Sequence, residues 1–345
     1  MQYTTLGKTG LIVSRFTLGT MTFGPNESYS GFTPTVDQEQ ANVIVSQAIE
    51  AGINFFDTAN NYAGGHSEEI LGRALGLRRK DVIVATKLGI RTSNAITDAG
   101  LSYHNVIAAA EASLTRLGTD YIDLLQIHIP DPLTPFEETA RALDNLVRRG
   151  LVRYVGYSNF SGWQAATMLE IQRQHAYAPF VSAQMYYSLL GRHIEYEIVP
   201  FLQHAGLGLL VWSPLAGGFL SGKYTHENPA GDNGRLASLD ILSLLLADRE
   251  TGYAVVDKLR EIASHREATP AQVALAWLLA KPYVASIIIG ASNLKQFSDN
   301  VAASSLRLSP EEIEALDAFT ALRPLYPYMF PIVNGDHLAL QALRR

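Results

Sequence analysis

The chain contains no cysteine, which excludes disulfide cross-links and thiolate chemistry. It is also short of charge: Asp, Glu, Lys and Arg make up only 17% of its 345 residues, with a net charge of -6. A nucleic-acid binder needs a basic face, so no nucleic-acid partner is expected. No apolar run approaches the ~20 residues of a membrane helix, and no membrane partner is expected either. The opening MQYTTLGKTGLIV lacks the charged and apolar regions of a secretory signal, so the expected location is the cytoplasm. The 9 histidines are scattered, with no H-x-H pair at a strand end. A metal-dependent hydrolase would therefore lack its donor set, and no metal site is expected. Nor does a G-x-G-x-x-G follow the first strand, which counts against an open, doubly wound dinucleotide sheet.

What is present suits one large core. Hydrophobic residues are 47% of the chain, and many lie in near-continuous runs of the kind found in parallel strands covered on both faces. These are SRFTLGTM (14–21), INFFDTA (53–59), VIVATKL (82–88), YIDLLQIH (121–128), RYVGYSNF (153–160), PFVSAQMYY (179–187), GLLVWSPLA (208–216) and SIIIGASN (286–293). Helical patterns separate them. One has Thr134 as its N-cap, Pro135 at its first position and Gly150 as its stop; another opens on Thr269 and Pro270. Eight alternations without a linker predict an α/β fold, a single (β/α)8 TIM barrel over residues 1–345. The stretch YTTLGKTGLIVS predicts a hairpin around Lys8-Thr9-Gly10 that caps the barrel floor. Three connections are long (Pro25–Val36, Arg91–Tyr103 and Thr225–Thr251). A tail at 321–345, rich in proline and aromatics, is expected to fold over the mouth.

In such a barrel the chemistry gathers at the C-terminal ends of the strands. Asp57, Lys87 and His128 stand at three of those ends, and Tyr62 lies in the loop after Asp57. Singly each has an ordinary explanation: a turn carboxylate, a rim lysine, a core histidine, one of 16 tyrosines. Jointly they have a chemical logic. A phenol titrates near ~10; a neighbouring ammonium lowers that value, and a carboxylate keeps the ammonium charged. With His128 orienting a carbonyl oxygen, the four make a proton donor for carbonyl reduction.

The motifs DTANNY, ATKLG, DLLQIHIPD and GYSNF, together with the flanking LGKTGLIVSRFTLGTMTFG and IIIGASNLKQFSDNVAA, resemble the aldo-keto reductase superfamily. The resemblance is to the branch containing bacterial aldo-keto reductases and potassium channel β subunits. It implies Asp57, Tyr62, Lys87 and His128 as the catalytic tetrad, with Tyr62 as general acid. It also implies NADPH (NADP+), in preference to NADH, bound across the mouth without a Rossmann fold. The cofactor contacts so implied are Gly19, Thr20, Met21 and Asp57; Ser158, Asn159 and Gln184 at the carboxamide; and Tyr187 stacked on the nicotinamide. Trp212, Ser213, Pro214, Leu215, Gly217 and Lys223 follow at the pyrophosphate, and Gly290, Ser292, Gln296, Asp299 and Asn300 around the adenosine. Gly217 to Lys223 also fits G-x-x-x-x-G-K, but Tyr224 stands where a Mg²⁺-binding hydroxyl belongs, which argues against phosphoryl transfer. No arginine occupies the adenosine loop, and Arg235 is the candidate to supply the 2′-phosphate contact. In place of a glycine directly after Tyr62 the chain has Ala63-Gly64-Gly65, from which an altered loop shape is expected.

The expected function is NADPH-dependent, reversible reduction of an aldehyde or ketone, with a small-molecule carbonyl or alcohol as substrate. The alternative is a nicotinamide-sensing binding subunit with slow turnover. Met21, Phe23 and Asn60 are expected near the substrate, and Tyr326, Tyr328 and Phe330 either line the pocket or pack on the barrel wall. The sequence leaves the oligomeric state open.

Overall fold

The computed structural model describes residues 1–25, 36–229, 248–290 and 293–330, with 338, 341 and 342. Arg235, Ser292 and most of two long loops lie outside the described residues.

Eight parallel strands close on themselves. They are β3 (Phe16–Gly19), β4 (Phe55–Asp57), β5 (Ile83–Leu88), β6 (Ile122–Ile127), β7 (Val152–Ser158), β8 (Phe180–Tyr186), β9 (Gly208–Trp212) and β10 (Val284–Gly290). Each pairs with its sequence neighbour, and β10 pairs with β3 to complete a (β/α)8 barrel. All eight apolar runs of the sequence became these strands. Around them pack α1 (Gln38–Glu50), α2 (His66–Leu75), α3 (Tyr103–Leu117), α4 (Phe136–Arg148), α5 (Gly162–Gln174) and α6 (Ile198–Ala205). The series continues with α7 (Arg249–Ser264), α8 (Pro270–Leu279), α9 (Leu294–Ala302) and α10 (Pro310–Phe319).

Of the two expected helix starts, one is as read from the sequence and one is not. Thr269 caps α8 in a full capping box with Gln272, because its hydroxyl meets the free N–H groups of the first turn. Thr134 does not cap α4. Its hydroxyl is captured by Asp131 at 2.6 Å, Pro135 stays extended, and the helix begins one residue later at Phe136.

β1 (Tyr3–Thr5) and β2 (Ile12–Ser14) form the antiparallel hairpin. Its Leu6 and Val13 join Phe55, Ala85, Leu124 and Leu210 in an apolar cluster inside the barrel, so the hairpin plugs the floor. A separate, larger apolar layer lies between strands and helices. This division sets the site. Alternation along each strand puts every second residue inside, so the layer above Phe55, Ala85, Leu124 and Leu210 is Asp57, Lys87, Gln126 and Trp212.

The described part of the tail leans on the connection after β8. Tyr328 stacks on Tyr196 at 5.6 Å, and the Tyr196 hydroxyl donates to the Arg323 carbonyl. Tyr326 stays 77% exposed.

Candidate active site

Strand ends alone do not hold the site; the hydrogen-bond ladder runs on past them. Thr58 N–H donates to Ala85 O, Asn60 N–H to Lys87 O and His128 N–H to Leu88 O, each at 2.9 to 3.0 Å. The first loop residues are thereby fixed as firmly as strand.

Lys87 is fully buried, and each ammonium proton has an acceptor. Nζ lies 2.6 Å from Asp57 Oδ1, 2.8 Å from the Thr58 carbonyl and 3.2 Å from the Tyr62 hydroxyl. The other Asp57 oxygen, Oδ2, accepts from Gln184 Nε2 at 2.8 Å and Gln126 Nε2 at 3.2 Å. The carboxylate is held by three side chains from three strands and keeps the buried ammonium charged. Although burial opposes that charge, Asp57 and Tyr62 together raise Lys87 above its ordinary value.

The phenol differs from the sequence expectation. Burial pushes Tyr62 above its ordinary value; Lys87 pulls it down, and Asp57 pushes it up again. Burial is the largest cause, and the Asp57 carboxylate, 2.6 Å from the ammonium, offsets part of the pull that Lys87 exerts. Tyr62 is therefore a protonated donor at neutral pH. His128 meets its ring edge to face, centroids 5.8 Å apart. Burial and the nearby Lys87 charge drive the imidazole down to about 3, so His128 is neutral. Its Nδ1 is buried and has no hydrogen-bond partner. The four tetrad residues thus meet in one place.

Tyr62 opens a tight turn, Tyr62–Gly65, in which Ala63, Gly64 and Gly65 have φ of 48°, 64° and 101°. Three successive left-handed residues are costly. Two glycines reduce the cost.

The remaining candidates divide. Asn159, itself left-handed at φ 61°, donates to the His128 carbonyl at 3.0 Å and accepts from Trp212 Nε1 at 3.2 Å. Ser158 is buried and donates to the Gln184 carbonyl. Met21 is half-buried, and Thr20 is sealed, its hydroxyl 2.8 Å from Ser67 Oγ. Gly19 carries no side chain because a Cβ would lie 2.7 Å from Ile288 Cγ2. Past β9, Ser213, Ala216, Gly217, Gly218 and Gly222 are all left-handed, with Pro214 buried and Leu215 half-buried among them. A Cβ on Gly218 would sit 3.6 Å from Lys223 Nζ, so the ammonium lies over this turn. Gly290 is exposed with open space beside it; Gln296 is exposed and Asn300 half-buried on α9.

Two assignments need correction. Tyr187 is fully buried, packed on Trp277, with its hydroxyl bonded to Glu195 at 2.5 Å and Tyr283 at 2.8 Å. It points out of the barrel and cannot stack on anything at the mouth. Tyr186, two residues beyond Gln184 and so on the same inner face, is the ring beside Trp212, 5.3 Å away. Asp299 is likewise turned elsewhere: it accepts from Gln272 at 2.8 Å and Thr269 at 3.2 Å, tying α9 to the start of α8. Sequence reading also missed Gln126. The signal was a lone amide in an apolar strand, two residues before His128 and therefore on the same face.

An aromatic wall (Tyr186 and Trp212), a carboxamide partner (Asn159) and a cation over a left-handed turn (Lys223) fit the three chemical parts of a nicotinamide dinucleotide: ring, amide and pyrophosphate. The comparisons agree with this chemistry. The aldo/keto reductase family model matches residues 15–321. Versiconal hemiacetal acetate reductase of Aspergillus parasiticus is 33% identical over 95% of this chain and 99% of its own length. A rice protein named as a probable voltage-gated potassium channel subunit beta is 36% identical over 94% of this chain and 98% of its own. An uncharacterized oxidoreductase of Bacillus subtilis is 36% identical over 92% and 95%. The chain belongs to the aldo/keto reductase family, oxidoreductases that in general work on carbonyl groups with a nicotinamide cofactor.

Proposed function

We propose that this protein is an NADPH-dependent aldehyde or ketone reductase, reversible as an alcohol dehydrogenase, with the whole chain acting as one catalytic domain. The observation that carries this reading is the Lys87 ammonium, which touches both the Asp57 carboxylate and the Tyr62 hydroxyl from a fully buried position. When bound, the nicotinamide supplies hydride to the carbonyl carbon. The protein supplies the rest.

Tyr62 holds a proton at its Oη and delivers it to the carbonyl oxygen as charge develops there. Lys87, 3.2 Å away, stabilises the phenolate left behind. Neutral His128 orients the carbonyl oxygen without competing for the proton. In the reverse direction the Tyr62 phenolate accepts the alcohol proton. Tyr186, Trp212, Asn159 and Lys223 would hold the cofactor, and exposed Lys295 in the first turn of α9 adds a cation near the adenosine end.

The test is Tyr62→Phe. NADPH binding should be retained while carbonyl reduction falls by at least ~100-fold; unchanged turnover would remove Tyr62 from the chemistry. Assays with NADPH and NADH separately decide the cofactor. A second reading, a nicotinamide-sensing subunit, is favoured by the channel-subunit name of the rice relative. It requires tight nicotinamide binding with slow turnover, and rapid multiple turnover rules it out.

A further inference from the structure

We propose that Glu68 and Arg116 are positioning residues that set the distance between the Tyr62 phenol and the Lys87 ammonium. The inference rests on the reductase reading and concerns a part of the fold outside the mouth.

Glu68, in the first turn of α2, is fully buried, an unusual place for a carboxylate. Its Oε2 accepts from Arg116 Nε at 2.7 Å and its Oε1 from Thr86 Oγ1 at 2.5 Å. Thr86 precedes Lys87 on β5, so its side chain leaves the opposite face of the same strand. Arg116 comes from α3, and its Nη2 reaches Ser113 Oγ at 3.2 Å. The Arg116 stem also lies against Gly65: a Cβ there would be 2.8 Å from Arg116 Cδ and 3.0 Å from Nε.

Gly65 is the last residue of the left-handed turn that begins at Tyr62, and Gly65 leads directly into α2. One carboxylate therefore holds the strand that carries the ammonium, and its arginine partner backs the turn that carries the phenol. A turn of three left-handed residues persists only when its surroundings over-determine it. Without the Arg116 stem and the Glu68 anchor, Ala63–Gly65 can relax, and the 3.2 Å contact between Lys87 and Tyr62 goes with it. Misplacement by ~1 Å can cost roughly 100-fold in rate.

The experiment uses the full-length protein. Arg116→Met should lower kcat by at least about tenfold. The KM for the carbonyl and the Kd for NADPH, read from fluorescence quenching, should stay within about twofold. Arg116→Lys, which keeps a cation beside Glu68, should recover most of the kcat. If Arg116→Met does not fold, Glu68→Gln carries the same test, since it keeps the side-chain volume while removing the charge that orders Arg116. An unchanged kcat in the folded variants overturns the proposal. So does a parallel loss of NADPH binding and turnover, which would mark a general loosening of the barrel. Tyr62→Phe is measured alongside: if it stays active the reductase reading fails, whereas an inactive Tyr62→Phe with a fully active Arg116→Met sinks the positioning role alone.

Discussion

Replacing Lys87 with Met removes the ammonium and leaves most of its volume. In the native site that ammonium donates to Asp57 Oδ1, the Thr58 carbonyl and Tyr62. After the substitution Asp57, only 2% exposed, retains the Gln126 and Gln184 amides on Oδ2 and has no donor left on Oδ1. Breaking one side of a buried pair costs about 3–5 kcal/mol because the remaining charge is uncompensated. Against a typical total stability of about 5–15 kcal/mol, the loss is large. Discharging the partner should return part of it: Asp57→Asn with Lys87→Met leaves only neutral groups. The double variant should be more stable than Lys87→Met alone by at least ~1 kcal/mol. Urea unfolding followed by the fluorescence of the 3 tryptophans gives the cost of Lys87→Met, of Asp57→Asn and of the double variant. Costs that simply add would refute the idea that stability here is a property of the pair. Carbonyl turnover should be lost in both Lys87 variants, so that stability recovers in the double variant while chemistry does not.

Further outcomes follow from the same geometry. His128 is pulled down to about 3, so below its ordinary 6.5 the unfolded chain takes up a proton that the folded chain refuses. Stability should fall as pH drops from ~6.5 toward ~3, by at most about 1.4 kcal/mol per unit from this group; an identical acid-side slope in His128→Gln would contradict it. Tyr186→Ala should weaken NADPH binding roughly tenfold by stripping the aromatic wall. Tyr187→Phe should cost about 1–3 kcal/mol of stability through Glu195 and Tyr283 while leaving binding intact. The reverse pattern in calorimetry would restore Tyr187 to the mouth. Gly72→Ala, despite alanine's better helix propensity, should destabilise by about 1–3 kcal/mol, because its Cβ would lie 2.3 Å from the Leu117 carbonyl oxygen. A raised urea midpoint would refute that.

The apolar runs and their spacing determined the barrel, since eight buried strands separated by helices have few other ways to close. They also determined which residues stand at strand ends, and Asp57, Lys87 and His128 were legible for that reason. Local signals determined the capping box at Thr269 but not the start of α4, where Asp131, three residues upstream, competes for the Thr134 hydroxyl.

Only the tertiary structure decided the rest. Whether Tyr186 or Tyr187 faces inward depends on strand register, because adjacent residues point to opposite sides, and Gln184 on Asp57 fixes that register. The acidity of Tyr62 depends on how fully Asp57 neutralises Lys87 and how deeply the phenol is buried, neither of which is a property of sequence spacing. The pairing of Glu68 with Arg116 joins residues 48 positions apart on different helices. In the chain each looks like one more solvated helix charge; packing alone brings them under the turn that carries the proton donor.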